Sequence, residues 1–501
     1  VGQQARSTPP QFPTAASPAG SVSAYQRQIL LLWYSPRFFA LALLTISVIL
    51  GAFYRFHGLA RWDLNGDEGI AWAAAVQPNL HRVVAGFWQF ENGGKLPLFD
   101  ILLHGWMRVF GDGLFAMRAM SAMLGTAAIV LLFVAVGETG RWLGGDALAA
   151  SAEMGAAFAA LFYALNVTIV ASDRTAREFA LLTVAELAQI VFFVRAQRRG
   201  AWPDYLAVAV FTALMLPINY TASFLLAAEA LWLGVTLIAR AAGSAGAAKI
   251  SLFRAGFAVM GGIALLAPVL PVVFASSHQA IQQGAVSWIK LQPLSWPYTV
   301  FRDVIGQRKL FRLAEALIAF GIIWRWRAGR LAWGFLAAWM VGPVLAVYLV
   351  TYLISPMEFP RYVLIAFVGM FALAGFGAGC IPGTALRILV AAMIIHFSIP
   401  PIHNWSRKPR DAAWRGAAAL ADRISSGGQI AVCPPMNLYV VRYYLPAPRR
   451  RAAVAMEKGC GSAPVVIVSG RGVVSDREIA DAESCFPHVI ARMPLVEVRS
   501  R

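Results

Sequence analysis

The sequence predicts an α-helical polytopic membrane protein with a small C-terminal α/β domain, on three observations. Hydrophobic residues fill 59% of its 501 positions and charged residues only 14%, far from an average soluble domain. Several apolar stretches reach the roughly 20 residues needed to cross about 30 Å of hydrocarbon. After residue 400 the long apolar runs give way to short alternating strand-like and helix-like segments, the pattern of a layered α/β domain outside the bilayer.

Residues 1–25 are rich in Pro, Ser, Ala and Gln and read as disordered; the tail they open runs to residue 37. No cleavable signal peptide is expected, because the first apolar span is long and lacks a small-residue cleavage site. Spans follow at about 38–54, 114–136, 147–169, 176–194, 205–218, 221–239, 256–275, 311–324, 331–353, 361–379 and 385–400, for about 11–13 transmembrane helices in all. The stretch 97–110 (PLFDILLHGWMRVF) is short and carries Asp100 and His104, so it reads as a juxtamembrane or half-inserted helix.

Basic residues cluster at Arg195/Arg198/Arg199, Arg240/Lys249/Arg254, Arg325/Arg327/Arg330 and Arg387. All of them fall on the side of the N-terminal tail, which the positive-inside rule makes cytoplasmic. Most of the net charge of +18 is thereby accounted for. No basic face interleaved with aromatics points to nucleic acid, so that partner is excluded. The loops 55–113, 170–176, 276–310 and 355–360 then share the outer side with the C-terminal tail.

Prolines 400 and 401 are expected to end the last span. Beyond them an amphipathic helix (DAAWRGAAALADRI), a strand (QIAVCP), a helix (NLYVVRYYL), a strand (PVVIVS), a helix capped by Ser475 and Glu478, and a strand near VIARM make up the domain 401–501. Of the four cysteines, three lie in it, and an oxidising compartment permits one disulfide, with Cys460–Cys485 the pairing we expect.

Asp67-Glu68 is the most informative pair. Two adjacent carboxylates just past the first span, opening a long irregular loop, mark a site candidate. A carboxylate at headgroup height suits general base chemistry towards a hydroxyl or amine; two together, or one with a His, suit a divalent ion on a phosphate. The same loop carries Glu91, Lys95 and His104. In SDRTAREF, Arg174 and Arg177 are three residues apart, on one helical face, and guanidinium forks suit phosphate oxygens; snorkelling at an interface is the plain alternative. Arg361 is a third outward cation, which positive-inside disfavours. His278 stands in the loop SSHQAIQQGAVSWIK as a candidate metal ligand, and Asn219-Tyr220 sits at a tight turn that caps a hairpin or touches a sugar.

The order of these pieces over roughly residues 38–400 resembles the GT-C glycosyltransferases, in particular the protein O-mannosyltransferase-like superfamily that includes bacterial aminoarabinose transferase. The matching pieces are the outer Asp67-Glu68 pair, ENGGKLPLFDILLHGW, AREFA and the span opening RYVLIAF. The resemblance implies transfer of a sugar from a polyprenyl-phosphate donor to a lipid, glycan or protein acceptor, with inversion at the anomeric carbon. It casts Asp67 as base or acceptor-orienting carboxylate with Glu68 beside it. Glu91 becomes the second acid, which helps bind a metal in some members, and Lys95, Arg177 and Arg361 become partners of the donor phosphate. Two departures stand out: the family's Lys/His-Pro-Pro element is loosened to Gly-Gly-Lys-Leu-Pro, and Phe179 replaces a frequent Tyr.

The expectation is therefore a GT-C type transferase of the bacterial inner membrane with a periplasmic C-terminal domain, a divalent metal ion being optional. A transporter or flippase of polyprenyl-linked glycans would share the cations but more often shows internal repeats. A membrane scaffold presenting the outer domain explains neither the acids nor AREFA.

Overall fold

The structure, a computed structural model, describes residues 36–501 except 91–94, 145, 242–245, 283–288, 290, 408–412, 457–460 and 470–475. Most of the expected N-terminal tail lies outside the described residues.

Helix α1 (Pro36–Phe56) leads into three shorter helices, α2 (Gly66–Ala75), α3 (Leu80–Phe90) and α4 (Leu98–Phe110). A bundle follows: α5 (Leu114–Leu143), α6 (Asp146–Ala164), α7 (Val167–Asp173), α8 (Phe179–Arg199), α9 (Trp202–Ile218), α10 (Ala222–Ala241) and α11 (Gly246–Ala264). Then come α12 (Leu270–Gln282), α13 (Trp296–Ile305), α14 (Arg308–Arg325), α15 (Arg330–Leu353), α16 (Leu364–Gly379) and α17 (Thr384–Arg407). Among the described residues seven helical segments are long and apolar enough to cross a membrane, and α6 with α7 adds an eighth if that pair, bent by 67°, counts as one. Helices α9 and α11 are shorter apolar helices. At 13 residues, α4 is too short to span and buries Asp100 and His104, as its composition implies.

Every expected span falls on helical segments, with three corrections. The span at 147–169 is broken, because the Asn166 side chain accepts hydrogen bonds from the Thr168 and Ile169 amides and starts α7 afresh. The span at 256–275 is divided between α11 and α12; Pro268 lies in the division and Pro271 in the first turn of α12, and neither supplies an amide to carry a helix across it. Prolines 400 and 401 do not end the last span: α17 runs through both to Arg407. Apolar helices with packed neighbours tolerate such interior prolines.

The centre of the bundle packs α16 onto α6 through glycines. A methyl group on Gly375 would lie 2.4 Å from the Ala159 nitrogen, and one on Gly379 2.5 Å from the Ser151 carbonyl oxygen. Small residues let helix backbones approach where lipid supplies no hydrophobic drive for association. Buried Phe162 and Phe371 stack beside this seam.

The C-terminal domain holds α18 (Trp414–Ile424), β1 (Ile430–Cys433), α19 (Leu438–Tyr444), β2 (Ala453–Ala455), β3 (Val465–Val468), α20 (Asp476–Cys485), β4 (His488–Met493) and β5 (Val496–Ser500). Its sheet runs β2-β1-β3-β5-β4, parallel across β2-β1-β3 and antiparallel beyond. Strands β2 and β5 go beyond the sequence expectation; three-residue and five-residue strands bounded by Arg and Pro give little alternation to read. Alternate residues divide the sheet's two faces. Ile430, Val432, Val465, Ile467 and Val498 join a core with α18 and α19 that extends to Leu64 before α2 and to Trp72, Leu103 and Met117 of α2, α4 and α5. Ala431, Cys433, Val466 and Val468 pack with Ala482 and Phe486. Cys485 is disulfide-bonded, and Cys380 and Cys433 are free thiols; the expected partner Cys460, like Ser475 of the expected capping box, lies outside the described residues.

Substituting Gly375→Val should force α6 and α16 apart and sharply lower the thermal unfolding midpoint in detergent. Gly105→Ala, where a methyl meets nothing within 4 Å, should leave that midpoint unchanged or slightly raised.

Candidate active site

The site is assembled around the start of α2. Asn65 caps that helix: its side chain accepts from the Glu68 amide at 2.9 Å, and Glu68 Oε2 accepts from the Asn65 amide at 3.2 Å. This reciprocal box fixes how the chain enters the helix and turns Asp67 and Glu68 in opposite directions.

Glu68 points inward and is 1% exposed. Both of its oxygens take hydrogen bonds from Arg118 of α5, Nε and Nη2 each at 2.7 Å, and Oε1 also accepts from the Ala176 amide at 2.9 Å. Arg118 in turn donates to the carbonyls of Leu59, Trp62 and Asp63. One bidentate pair thus binds the turn after α1, the start of α2 and the segment before α8. The carboxylate expected to react is thus one whose oxygens are all engaged by protein donors. With its oxygens taken up by Arg118 and by the amides of Asn65 and Ala176, it anchors the loop.

Asp67 points the other way and stays 37% exposed in its side chain. Its Oδ2 accepts from Arg361 Nη1 at 2.9 Å, and its backbone carbonyl accepts from Arg177 Nη1 at 3.2 Å. Arg361 lies in a short 3-10 turn (Pro360–Val363) that opens α16, with its guanidinium over the rings of Phe359 and Tyr362. Burial pushes the Asp67 carboxyl up, but Arg177 and Arg361 outweigh it and hold the group below its ordinary value.

Below Arg177 sits Glu178, which follows it in the AREF segment and is 2% exposed. It faces Arg177 Nε at 3.0 Å, Lys95 Nζ at 3.2 Å and the Asn219 amide nitrogen at 3.2 Å. Lys95 reaches it because the Leu96 amide is anchored on the Pro217 carbonyl at 2.8 Å. Asn219 also caps the turn into α10 by accepting from the Thr221 amide, so one side chain both ends the hairpin and braces the site. Burial works against ionisation of Glu178, yet Arg177 and Lys95 bring it down to about 2. Buried and multiply hydrogen-bonded, Glu178 fixes two cationic heads beside Asp67.

Asp67, Lys95, Arg177 and Arg361, from four separate segments, therefore meet in one cluster. Arg174 does not join them. Its guanidinium donates to the carbonyls of Tyr54, Arg55, His57 and Gly58, closing the C-terminal end of α1, and it lies over the Trp405 ring. The spacing of Arg174 and Arg177 predicts one face for both, but the helix is interrupted between them. His278 is exposed on α12, and Glu91 lies outside the described residues. Arg118 and Glu178 are site residues that the sequence reading misses. Their signal is present all the same: an Arg early in an apolar span and a Glu at the mouth of another are rare without a partner.

No group of three or more His, Cys, Asp or Glu side chains is gathered for a metal ion among the described residues. Asp67 and Glu178 each face guanidinium groups, which compete with any cation for the carboxylate oxygens, so the described residues do not fit a metal site.

The chain matches solved structures across nearly its whole length. ArnT from Cupriavidus metallidurans bound to undecaprenyl phosphate superposes with a TM-score of 0.55 at 12% sequence identity, covering 91% of this chain and 97% of that one. The archaeal oligosaccharyltransferase AglB from Archaeoglobus fulgidus, in complex with an inhibitory peptide and a dolichol-phosphate, gives 0.53 at 9% identity, covering 87% and 70%. The Archaeoglobus fulgidus oligosaccharyltransferase in complex with Zn and sulfate gives 0.51 at 10% identity, covering 85% and 68%. At such identities the likeness lies in the fold, which is the GT-C fold. No protein-family model matches the chain, and no curated protein matches it in sequence.

The depressed Glu178 carboxyl sets a pH dependence. Its stabilising ion pairs are fully present above its ordinary value of 4.5 and are lost as pH falls towards about 2. Over that window the wild-type unfolding midpoint should fall more steeply than that of Glu178→Gln, as followed by intrinsic fluorescence. Glu68→Ala, which strands buried Arg118, should cost about 3–5 kcal/mol at neutral pH.

Proposed function

We propose that this chain is an inverting glycosyltransferase that moves a sugar from a polyprenyl-phosphate-linked donor to an acceptor at the outer face of the membrane. The observation that carries the reading is a single one: a partly exposed carboxylate, Asp67, held beside Arg361 and Arg177, with Lys95 joined to them through Glu178, in a chain with the GT-C fold. The solved neighbours named with undecaprenyl phosphate and with dolichol-phosphate support a lipid phosphate as the ligand of those cations.

In this reading the acceptor's hydroxyl or amine attacks the anomeric carbon from the Asp67 side. The bond from that carbon to the donor phosphate oxygen breaks, and the electron pair leaves on the phosphate. Arg361, Arg177 and Lys95 stabilise the departing charge, being ordered before the donor arrives. The acceptor proton goes to Asp67. Arg361 links the two halves: when donor phosphate draws it away, Asp67 loses a neutralising charge and becomes a stronger base. Glu68 acts by positioning, through Arg118. Glu91 keeps the role of second acid that the family resemblance implies, and the bacterial inner membrane with a periplasmic C-terminal domain remains the setting we infer from the positive-inside rule.

The test is transfer of radiolabelled sugar from polyprenyl-phosphate donors in membranes. Asp67→Asn should lower turnover by about 10²–10⁴-fold, and Arg361→Ala by about 10²–10³-fold, with both variants folded. Donor sugar that reaches the other side of the membrane untransferred, with equal rates in both variants, would instead point to a flippase.

A further inference from the structure

A concavity of about 390 Å³ opens where α7, α13 and α17 meet. Val167, Thr168 and Ala171 line it from α7, Asp303 and Gly306 from the end of α13, and Pro401, Asn404 and Trp405 from α17. None of these residues belongs to the cluster around Asp67. Trp405 carries the Arg174 guanidinium on its ring at 5.4 Å, and the chain runs from α7 through Arg174 to Arg177 and Glu178 of that cluster.

The lining selects a class of ligand. It includes no Lys or Arg among the described residues, and its one charged group, Asp303, is already paired with Arg302 at 2.9 Å, so an anionic headgroup finds no cation among the lining residues. Asn404, Asp303 and Thr168 place polar groups around the space, which makes it costly for an acyl chain to fill. Thr168 donates its hydroxyl hydrogen to the Val304 carbonyl at 3.0 Å, leaving its oxygen as an acceptor. The Trp405 indole, which also carries the Arg174 guanidinium, lines the space together with carboxylate, amide and hydroxyl groups, and such a lining matches a pyranose ring, which is apolar on its C–H face and polar at its rim. The volume falls in the range of small-molecule pockets.

We infer that this pocket is a saccharide subsite that takes a neutral sugar unit stacked on Trp405 and hydrogen-bonded by Asn404 and Asp303. Its relation to transfer rests on the function proposed above; its binding of sugar does not. The ligand's chemistry is common to two sources, a sugar unit of the acceptor and the sugar of the donor.

The experiment measures saturation-transfer NMR from the full-length protein in phosphatidylcholine nanodiscs to methyl glucoside, methyl mannoside and maltotriose, with no donor present. Wild type should transfer to at least one probe. Trp405→Ala should weaken that binding about tenfold, and Ala171→Phe, which fills the pocket, should abolish it. Asn404→Ala carries the test if Trp405→Ala fails to fold. No transfer to any of the three probes, or transfer undiminished in the folded variants, overturns the subsite. Saccharide binding without any transferase activity would sink the proposed function and leave the subsite standing. In the transfer assay, a raised acceptor KM at unchanged kcat in Ala171→Phe assigns the pocket to the acceptor, and a raised donor KM assigns it to the donor sugar.

Discussion

The site is organised by one buried ion pair, Glu68 with Arg118. Taking two charges out of water costs several kcal/mol for each ion, and the mutual attraction repays that only when the remaining hydrogen-bonding positions are filled. Here they are filled from both sides. Glu68 receives the amides of Asn65 and Ala176, and Arg118 gives its other protons to the carbonyls of Leu59, Trp62 and Asp63. The pair therefore does more than neutralise itself. It ties the chain leaving α1, the N-terminus of α2 and the entry to α8 into one unit, and Asp67 inherits its position from that unit.

The outer domain adds a second constraint on the same helix. A methyl group on Gly69 would lie 2.7 Å from Val440, and one on Gly66 3.1 Å from the Asn437 side-chain oxygen, so α19 packs directly on the backbone of α2. Tyr444 accepts from the Leu64 amide at 2.9 Å, and Tyr443 donates to the Asp112 carbonyl at 3.2 Å. Two polar tips on one short helix thus reach the membrane-side loops while their rings stay in the shared core. The C-terminal domain is in this way part of the scaffold of the site, since the helix bearing Asp67 is held between it and α5.

Around Asp67 the charges divide into an inner and an outer group of different character. Glu178 is buried and locked by Arg177, Lys95 and Asn219, and it holds two cations in place. The Asp67–Arg361 pair is about one-third exposed on both sides, where ion pairs contribute little to stability and exchange partners readily. A rigid inner pair beside a replaceable outer one suits the donor-phosphate role proposed above: the cations keep their geometry while one of them changes its partner.

Local sequence was enough to establish the membrane class, the apolar helical stretches though not their breaks or the end of the last one, the α/β character of residues beyond 400, and the candidate status of Asp67, Lys95, Arg177 and Arg361. Each of these follows from local quantities: run length, hydropathy, charge at span ends, and residue type. How they combine is a matter of packing. Glu68 and Asp67 are neighbours in sequence, yet the capping box sends one inward and the other outward. Arg174 and Arg177 keep helical spacing, yet the break at Arg174 commits one to the carbonyls ending α1 and the other to the cluster. Arg118 and Glu178 carried a legible sign, a charge within or at the mouth of an apolar span, but their partners lie 50 and 83 residues away along the chain. Periodicity and composition have no access to pairings at that separation, because only packing of the helices brings those segments within reach of a hydrogen bond.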